Sequence, residues 1–543
     1  MDVAESPVPW QTLPEMILDN AARYADHETV VDANTRLTYR DLAERAGAFA
    51  AALRQRGFRP GDRLAVWSPN SWRWVVAACG AWLAGGVVVP LSTRARGLEA
   101  AEILSRVECT VLCVRGTFLG ADYLAMLRGE LGDGRPGRPF AGLPSLSTVV
   151  LLDDDPSGAD FPTIEELIRD GHAAPITSAA QAARNGDDIA EILFTSGTTG
   201  RSKGVLLGHR QLLEAFSDYG TTTGMRTGDR YLAVMPFGHG GGMNGCMTTS
   251  LIHGLTIVPR AVFNPAVILE TVERERITVL LGPPQLFLLT LASSPESRRI
   301  LSSLRVAITG AASVPGSLMS TLRDEIGVQR VVNAYGLIEA TCTVSMTRED
   351  DPLEVITTTA GRPMPRVEVR IVGTDGRPVP DGEPGEVLVR GYLVMKGYLD
   401  AGKFTEAVDE DGWLHTGDIA VRDDRGNLRI VDRLKDMLIV GGFNAYPAEI
   451  ENLVMRRGDI KSVAVFGMPD ERLGEVPCAV VVPIDRSSFD VDEFKNWCRT
   501  SLSNFKVPRR VILADELPVN ATGKVDKRLL RSSVLAGTLG SGR

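Results

Sequence analysis

Ten residues of this chain have the types and spacing to hold a phosphate: Thr195, Ser196, Gly197, Thr198, Thr199, Gly200, Arg201, Ser202, Lys203 and Gly204. They follow the apolar run Ile189–Phe194, which reads as a strand. Backbone N–H groups and hydroxyls in such a loop can surround phosphate oxygens, and Lys203 adds a point charge. The loop is not of the Walker A type, because no Gly-Lys-Ser/Thr stands four residues after a glycine. A second stretch, Met235 to Cys246, contains Gly238, Gly240, Gly241, Gly242 and Gly245 and no Asp or Glu. It has no carboxylate to pair with the ammonium of an amino acid. Its glycines predict room for a wide apolar ligand.

The elements that must position these residues read as α/β. Leu42, Ala46, Phe49, Ala50 and Leu53 recur at helical spacing over Asp41–Gly57, and Gly57 is a natural stop. Arg63–Trp67 reads as a strand, Ser71 as the cap of the next helix, and Val87–Val89 as the next strand. Strands alternating with helices imply parallel βαβ units. Gly129–Pro144, rich in Gly, Pro and Arg, predicts a surface excursion. After Val369, short strands such as Glu386–Arg390 are separated by Asp375-Gly376, Asp381-Gly382 and Asp411-Gly412, the turn pairs of an antiparallel sheet. A shorter α/β region follows Asp436, with helices near Pro447–Arg457 and Asp492–Leu502 and strands near Ser462–Phe466 and Cys478–Val482.

Composition narrows the class. The 543 residues exceed one ordinary domain, and 44% of them are hydrophobic, enough for a large core. The net charge of −9 argues against nucleic-acid binding, which rests on excess Lys and Arg. The 7 cysteines form no CxxC pair and lie in no Cys/His cluster with zinc spacing, so free thiols in a reducing cytoplasm are expected. Asp2 and Glu5 are acidic with no apolar run behind them, so no leader is expected. Val75–Leu91 approaches the length of a membrane span, but Gly80, Gly85, Gly86 and Pro90 divide it into a buried helix, a turn and a strand.

The phosphate loop resembles that of the adenylate-forming superfamily: acyl-CoA synthetases, peptide-synthetase adenylation domains and beetle luciferases. The likeness continues in order along the chain. Pro236-Phe237-Gly238-His239 is similar to the motif whose His borders the acyl pocket, and Gly310-Ala311-Ala312 with Asn333-Ala334-Tyr335-Gly336 to the adenine walls. Glu339 matches the magnesium-side glutamate, and Asp418, in Trp413–Asp418, the ribose aspartate. Asp432–Asp436 matches the interdomain hinge, with Lys435 as its pivot and with Arg433 and Ile430 near the nucleotide. Lys524, in Asn520–Lys524, matches the C-terminal catalytic lysine.

The resemblance implies a fold and a reaction. The large N-terminal domain, 1–434, would hold layered βαβ sheets and a small β subdomain over about 365–430, and 435–543 would be a small mobile α+β domain. A carboxylate would attack the α-phosphorus of ATP, with Lys524 and magnesium offsetting the repulsion between two anions. Asp418 would accept from the ribose hydroxyls, and Tyr335 would stack on adenine. The small domain would then swing about Lys435 and close a tunnel for the thiol of coenzyme A at Gly441, Gly442 and Phe443. The acyl pocket would draw on Phe237, Gly241, Gly242, Met243, Gly282, Pro283, Leu286 and Thr309, with His239 at its border. ATP, coenzyme A and Mg2+ are the implied cofactors, and the resemblance allows a homodimer.

One position departs from the family pattern. Tyr-Gly-x-Thr-Glu is usual at the magnesium motif; here it is Tyr335-Gly336-Leu337-Ile338-Glu339. Ile338 cannot donate to the α-phosphate, and one such donor is worth about 2.7–4 kcal/mol in a transition state. Adenylation should suffer more than thioesterification, which starts from an already activated acyl-AMP. A separate adenylating ligase would then supply the adenylate. In the alternative, backbone amides and Thr199 compensate and the ligase is complete. The stretches Ile308–Val314 and Asp432–Pro447 look most like actinobacterial ligases for polycyclic terpenoid or steroid-ring carboxylates, with a fatty acid as the alternative substrate. Two further readings are an enzyme that loads a separate carrier protein and a catalytically dead acyl-nucleotide binder.

Overall fold

A computed structural model describes residues 8–132, 140–153, 161–195, 202–310, 314–400, 407–440, 443–470, 472–519 and 525–539. By packing, the chain groups into two units, residues 1–369 with 389–414 and residues 370–388 with 415–543.

In the first unit, a seven-stranded sheet runs in the order Gly397–Tyr398, Lys203–Gly208, Ile189–Thr195, Val87–Pro90, Arg63–Trp67, Val111–Val114, Thr148–Leu151. Its last five strands are mutually parallel. Parallel strands need helical crossovers, so both faces are covered and the strands are mostly apolar. Val87–Pro90 and Val111–Val114 are buried at every position. Local signals place the crossovers. Ser71 accepts from the Trp74 N–H and starts the helix Trp72–Leu83, which is followed by the Gly85 turn and the strand at Val87. The run Val75–Leu91 is thus helix, turn and strand, and among the described residues no helix is long and apolar enough to cross a membrane. Thr38 and Asp41 form a reciprocal cap at the start of Tyr39–Gln55, and Gly57, with φ +90°, lies just beyond its end.

A nine-stranded sheet carries six more parallel strands, in the spatial order Arg330–Tyr335, Val306–Gly310, Val279–Leu281, Arg230–Ala233, Thr256–Pro259, Glu28–Asp32. Its segments expected to carry function lie at or just after the carboxyl ends of neighbouring strands, where ligands sit in open α/β sheets.

The expected excursion over Gly129–Pro144 is shorter than composition suggested. Helix Tyr123–Leu131 runs through Gly129, and Phe140 and Leu143 are buried in the core around the seven-stranded sheet. A Gly- and Pro-rich stretch can still return apolar anchors to the core.

A four-stranded sheet in the order Glu368–Val372, Pro384–Arg390, Leu414–Arg422, Leu428–Arg433 lies mostly in residues of the second unit, and its last two strands are antiparallel. The glycines of all three Asp-Gly pairs have φ between +75° and +92°, which only glycine adopts without strain. The rest is α+β. Ile460–Asp470 and Gly474–Pro483 form a long antiparallel pair, and Arg510–Leu513 adds in parallel. Helices Pro447–Val454 and Val491–Ser501 bury Ile450, Val454, Phe494 and Cys498 against one face.

Candidate functional site

The segment expected to bind phosphate joins two paired strands. Strand Ile189–Thr195 pairs with Lys203–Gly208, and Thr195 stands opposite Lys203. The loop's own Ser196, Gly197, Thr198, Thr199 and Gly200 lie outside the described residues. The segment after Gly391 is strapped beside this hairpin, where Leu399 N–H donates to Gly204 O at 2.8 Å and Lys396 N–H to Leu206 O at 2.9 Å. That strap places Tyr398 under Lys203, whose Nζ lies 4.7 Å from the ring centroid. The Tyr398 hydroxyl donates to Glu339 Oε1 at 3.0 Å. Burial, and then the adjoining Glu339 carboxylate, push this hydroxyl's pKa above the ordinary tyrosine value. Nothing in the spacing of the motifs pointed to Tyr398.

The segments expected to wall the adenine lie on adjacent strands. Gly310 is in register with Ala334 on adjacent strands, and a Cβ on Gly310 would stand 2.2 Å from Ala334 O. The same test at Gly336 gives 2.2 Å to Cys342 O, so the chain after Tyr335 doubles back tightly. Asn333 turns its amide to the carbonyls of Thr359, at 2.8 Å, and Ile356, at 3.4 Å. Ile338–Ala340 forms a single 3-10 turn, followed by Thr341 and Cys342 with φ +51° and +63°. Left-handed Thr is uncommon and needs support. Gln211 Nε2 donates to Thr341 Oγ1 at 2.8 Å, and Thr341 Oγ1 donates to Leu393 O at 2.6 Å. Ile338 is half-buried at the head of this turn. Ala311 and Ala312 lie outside the described residues.

The residues expected at the acyl pocket separate into two groups. His239 is exposed, and its Nδ1 accepts from the Gly241 N–H at 3.2 Å. Phe237 is fully buried with its ring centroid 5.2 Å from Trp74, and Met243 is fully buried too. Leu286 and Thr309 are also buried, and Pro283 is exposed ahead of helix Pro284–Ala292. The hydroxyl of Thr309 finds no partner among the described residues.

The glycines do not all leave room, as their number had suggested. A Cβ would stand 2.4 Å from Leu91 O at Gly238, 2.2 Å from Cys342 Sγ at Gly240, 2.1 Å from Pro236 O at Gly242, and 2.7 Å from Leu286 Cδ1 at the buried Gly282. Those glycines serve close packing. At Gly241 the nearest atom is 3.5 Å away, an ordinary contact, so Gly241 is where a side chain is missing without need.

A carboxyl group does lie against this stretch, although the stretch contains none. Glu191, fully buried on the strand before the phosphate loop, accepts from Asn244 Nδ2 at 2.7 Å. Asn244 in turn accepts from Thr248 Oγ1 at 3.0 Å, within the π-helix Met243–Thr248. Glu191 Oε2 finds no partner among the described residues. Burial pushes the Glu191 carboxyl up to about 8, from an ordinary value near 4.5. Its contribution to stability is therefore full below about pH 4.5 and is lost as pH rises to about 8. Glu191→Gln keeps the acceptor and removes the titration. The variant should melt several degrees above wild type at pH 8 and close to it at pH 5, since about 1 kcal/mol shifts Tm by about 2–4 °C in a large domain. Thermal scans at both values check this; a pH-independent difference would rule it out.

In the second unit, Asp418 and Arg433 face each other in the pairing of Leu414–Arg422 with Leu428–Arg433. Arg433 Nε is 3.1 Å from Asp418 Oδ1, and Asp418 is only 5% exposed. Ile430 stands on the same strand, opposite Ala420. Asp432 Oδ2 accepts from Ala448 N–H at 2.8 Å, which ties this strand to the start of helix Pro447–Val454. The side chains of Lys435 and Phe443, and residues Gly441, Gly442 and Lys524, lie outside the described residues.

Residues 17–399 match the family described as AMP-binding enzyme, and residues 449–524 match the AMP-binding enzyme C-terminal domain. The chain is 43% identical, over 96% of its length and 98% of the other, to the 7a-methyl-1,5-dioxo-octahydro-1H-inden-4-yl propanoyl:CoA ligase of Rhodococcus jostii (strain RHA1). It is equally similar, at 43% over the same shares, to the enzyme of that name from Mycobacterium tuberculosis (strain ATCC 25618 / H37Rv). The solved structure of ATP-bound MatB from Rhodopseudomonas palustris is 27% identical with a TM-score of 0.83, covering 96% of this chain and 98% of that one. The chain belongs to the AMP-binding enzyme family and is an acyl-CoA ligase.

Proposed function

We propose that this ligase joins a bulky polycyclic carboxylic acid to coenzyme A, and that adenylation is its slower half-reaction. The observation that carries the substrate class is the 43% identity, nearly end to end, to two ligases named for a bicyclic dione propanoate. Gly241, beside His239, is a glycine that close packing does not require, since a Cβ there would make only ordinary contacts, and this supports a wide acyl group.

The acid's carboxylate attacks the α-phosphorus and pyrophosphate leaves. The coenzyme A thiol then attacks the acyl carbon and AMP leaves. Lys524 bridges the two anions in the first step. Asp418 and Arg433 hold the ribose, and Gly310, Asn333, Ala334 and Tyr335 wall the adenine. Between the steps residues 435–543 turn about Lys435, bringing Gly441, Gly442 and Phe443 to the thiol. Ile338 leaves the α-phosphate one donor short, so acyl-AMP made by a separate ligase would be used faster than acyl-AMP made here.

Mg2+ fits the phosphate end. Among the described residues no group of three His, Cys, Asp or Glu side chains could hold a metal. One carboxylate plus phosphate oxygens is an ordinary Mg2+ environment, and Glu339 supplies that carboxylate. The ion would neutralise the leaving pyrophosphate.

Gly241→Leu tests the substrate class. Where the acyl group passes Gly241, an added leucine side chain costs about 1–3 kcal/mol, or about 10–200-fold in kcat/KM. Activity on a fused-ring propanoic acid should fall by that factor, while a short linear acid is converted as before. Equal loss on both acids, or wild-type preference for a linear acid, would refute the polycyclic reading.

A further inference from the structure

We propose that Tyr398 is a positioning residue for the polyphosphate end of the site, holding Glu339 through its hydroxyl and Lys203 through its ring. The inference rests on the adenylation reading above and adds a residue to it. The two charged groups that would meet triphosphate and metal belong to different sheets. Lys203 follows the phosphate loop in the seven-stranded sheet, and Glu339 follows the last parallel strand of the nine-stranded one. Tyr398 touches both, at 4.7 Å through its ring and 3.0 Å through its hydroxyl.

Each contact has a separate physical effect. A hydrogen bond to a charged acceptor is stronger and more directional than a neutral one, so the hydroxyl fixes the rotation of the Glu339 carboxylate. Oε1 is committed to Tyr398, and one carboxylate edge is thereby oriented. The ring face attracts the Lys203 ammonium, which holds a long flexible side chain near where phosphate arrives. Preorganisation of this kind lowers the cost of ordering charges at the moment of reaction.

Tyr398 is itself well anchored. Glu339 O accepts from the Met395 N–H at 2.9 Å, on the same strap. At the strap's other end Arg106 pairs with Asp400 and donates to Ser202 O at 2.7 Å, one residue before Lys203. The ring therefore sits between two fixed ends and cannot follow either charged group.

Tyr398→Phe separates the two effects, since it keeps the ring and removes the hydroxyl. Calorimetric titration with ATP, with and without Mg2+, reads binding directly. The gain in ATP affinity on adding Mg2+ should fall by about ten- to a hundredfold in the variant, the range for one hydrogen bond to a charged group. AMP affinity, turnover of acyl-AMP with coenzyme A, and Tm should stay at wild-type values. In a Glu339→Gln background the same substitution should add little, because the two residues act through one contact. Unchanged Mg2+-dependent ATP binding in Tyr398→Phe would overturn the proposal, as would a wild type whose ATP affinity ignores Mg2+. An equal fall in acyl-AMP turnover would make the hydroxyl merely structural and overturn it too. A wild type that makes no acyl-AMP from ATP would instead refute the adenylation reading, and the binding comparison still decides Tyr398.

Discussion

Ile338→Thr should raise ATP–pyrophosphate exchange by about a hundred- to a thousandfold and leave turnover of acyl-AMP with coenzyme A unchanged. The size follows from one transition-state donor, about 2.7–4 kcal/mol. The asymmetry follows from the chemistry, because only adenylation breaks the polyphosphate. The substitution is structurally mild. Thr, like Ile, is β-branched, and the turn is held by backbone bonds that the side chain does not make. Ala340 N–H donates to Leu337 O at 3.0 Å, Thr341 N–H to Ile338 O at 3.0 Å and Cys342 N–H to Leu337 O at 2.8 Å. Ile338 is half-buried, so little apolar burial is lost. Exchange and thioesterification, measured separately on both proteins, decide the point. If exchange does not rise, Ile338 is not what limits adenylation.

Asp418→Ala should depress both half-reactions, by about a hundred- to ten-thousandfold in kcat/KM for ATP and for acyl-AMP alike. AMP is held in both steps, so loss of the ribose acceptor should not discriminate between them. Each hydrogen bond from a ribose hydroxyl to a carboxylate is worth about 1.5–3 kcal/mol, and Asp418 can accept two. Stability should change little even though Asp418 is almost fully buried. Its partner Arg433 is 51% exposed and turns to water when the carboxylate is gone. A fall confined to the ATP-dependent step would mean that Asp418 serves the triphosphate and not the ribose. Read beside Ile338→Thr, the pair distinguishes a group used once from a group used twice.

Much of the fold was legible because the signals are local. Ser71 caps a helix by accepting from the N–H three residues on. Apolar runs of four or five residues became the strands Arg63–Trp67 and Val87–Pro90, and each Asp-Gly pair marked a turn. The helices and strands after Asp436 fell within a few residues of their expected ends for the same reason. The excursion over Gly129–Pro144 was misjudged because composition says nothing of whether Phe140 returns to the core.

The order and residue types of the motifs by themselves determined the family and the reaction. Each motif is a short run whose chemistry depends on neighbours in the chain. Tertiary structure alone decided which groups share a hydrogen bond. Glu191 and Asn244 are 53 residues apart in the chain, and Tyr398 and Glu339 are 59 apart. Neither pair shares an element or a spacing from which the contact follows. Tertiary structure also decided what the glycines are for. Gly238, Gly240 and Gly242 look the same as Gly241 in the sequence, but each of the three meets a backbone or side-chain atom within 2.4 Å of a Cβ, and Gly241 does not. Phe237 was placed with the acyl pocket by its neighbours in the motif, and only the tertiary structure shows its ring buried against Trp74. Local sequence sets backbone conformation and motif chemistry through short-range sterics and hydrogen bonding. Burial, long-range pairing and free space depend on what the rest of the chain brings to the same point.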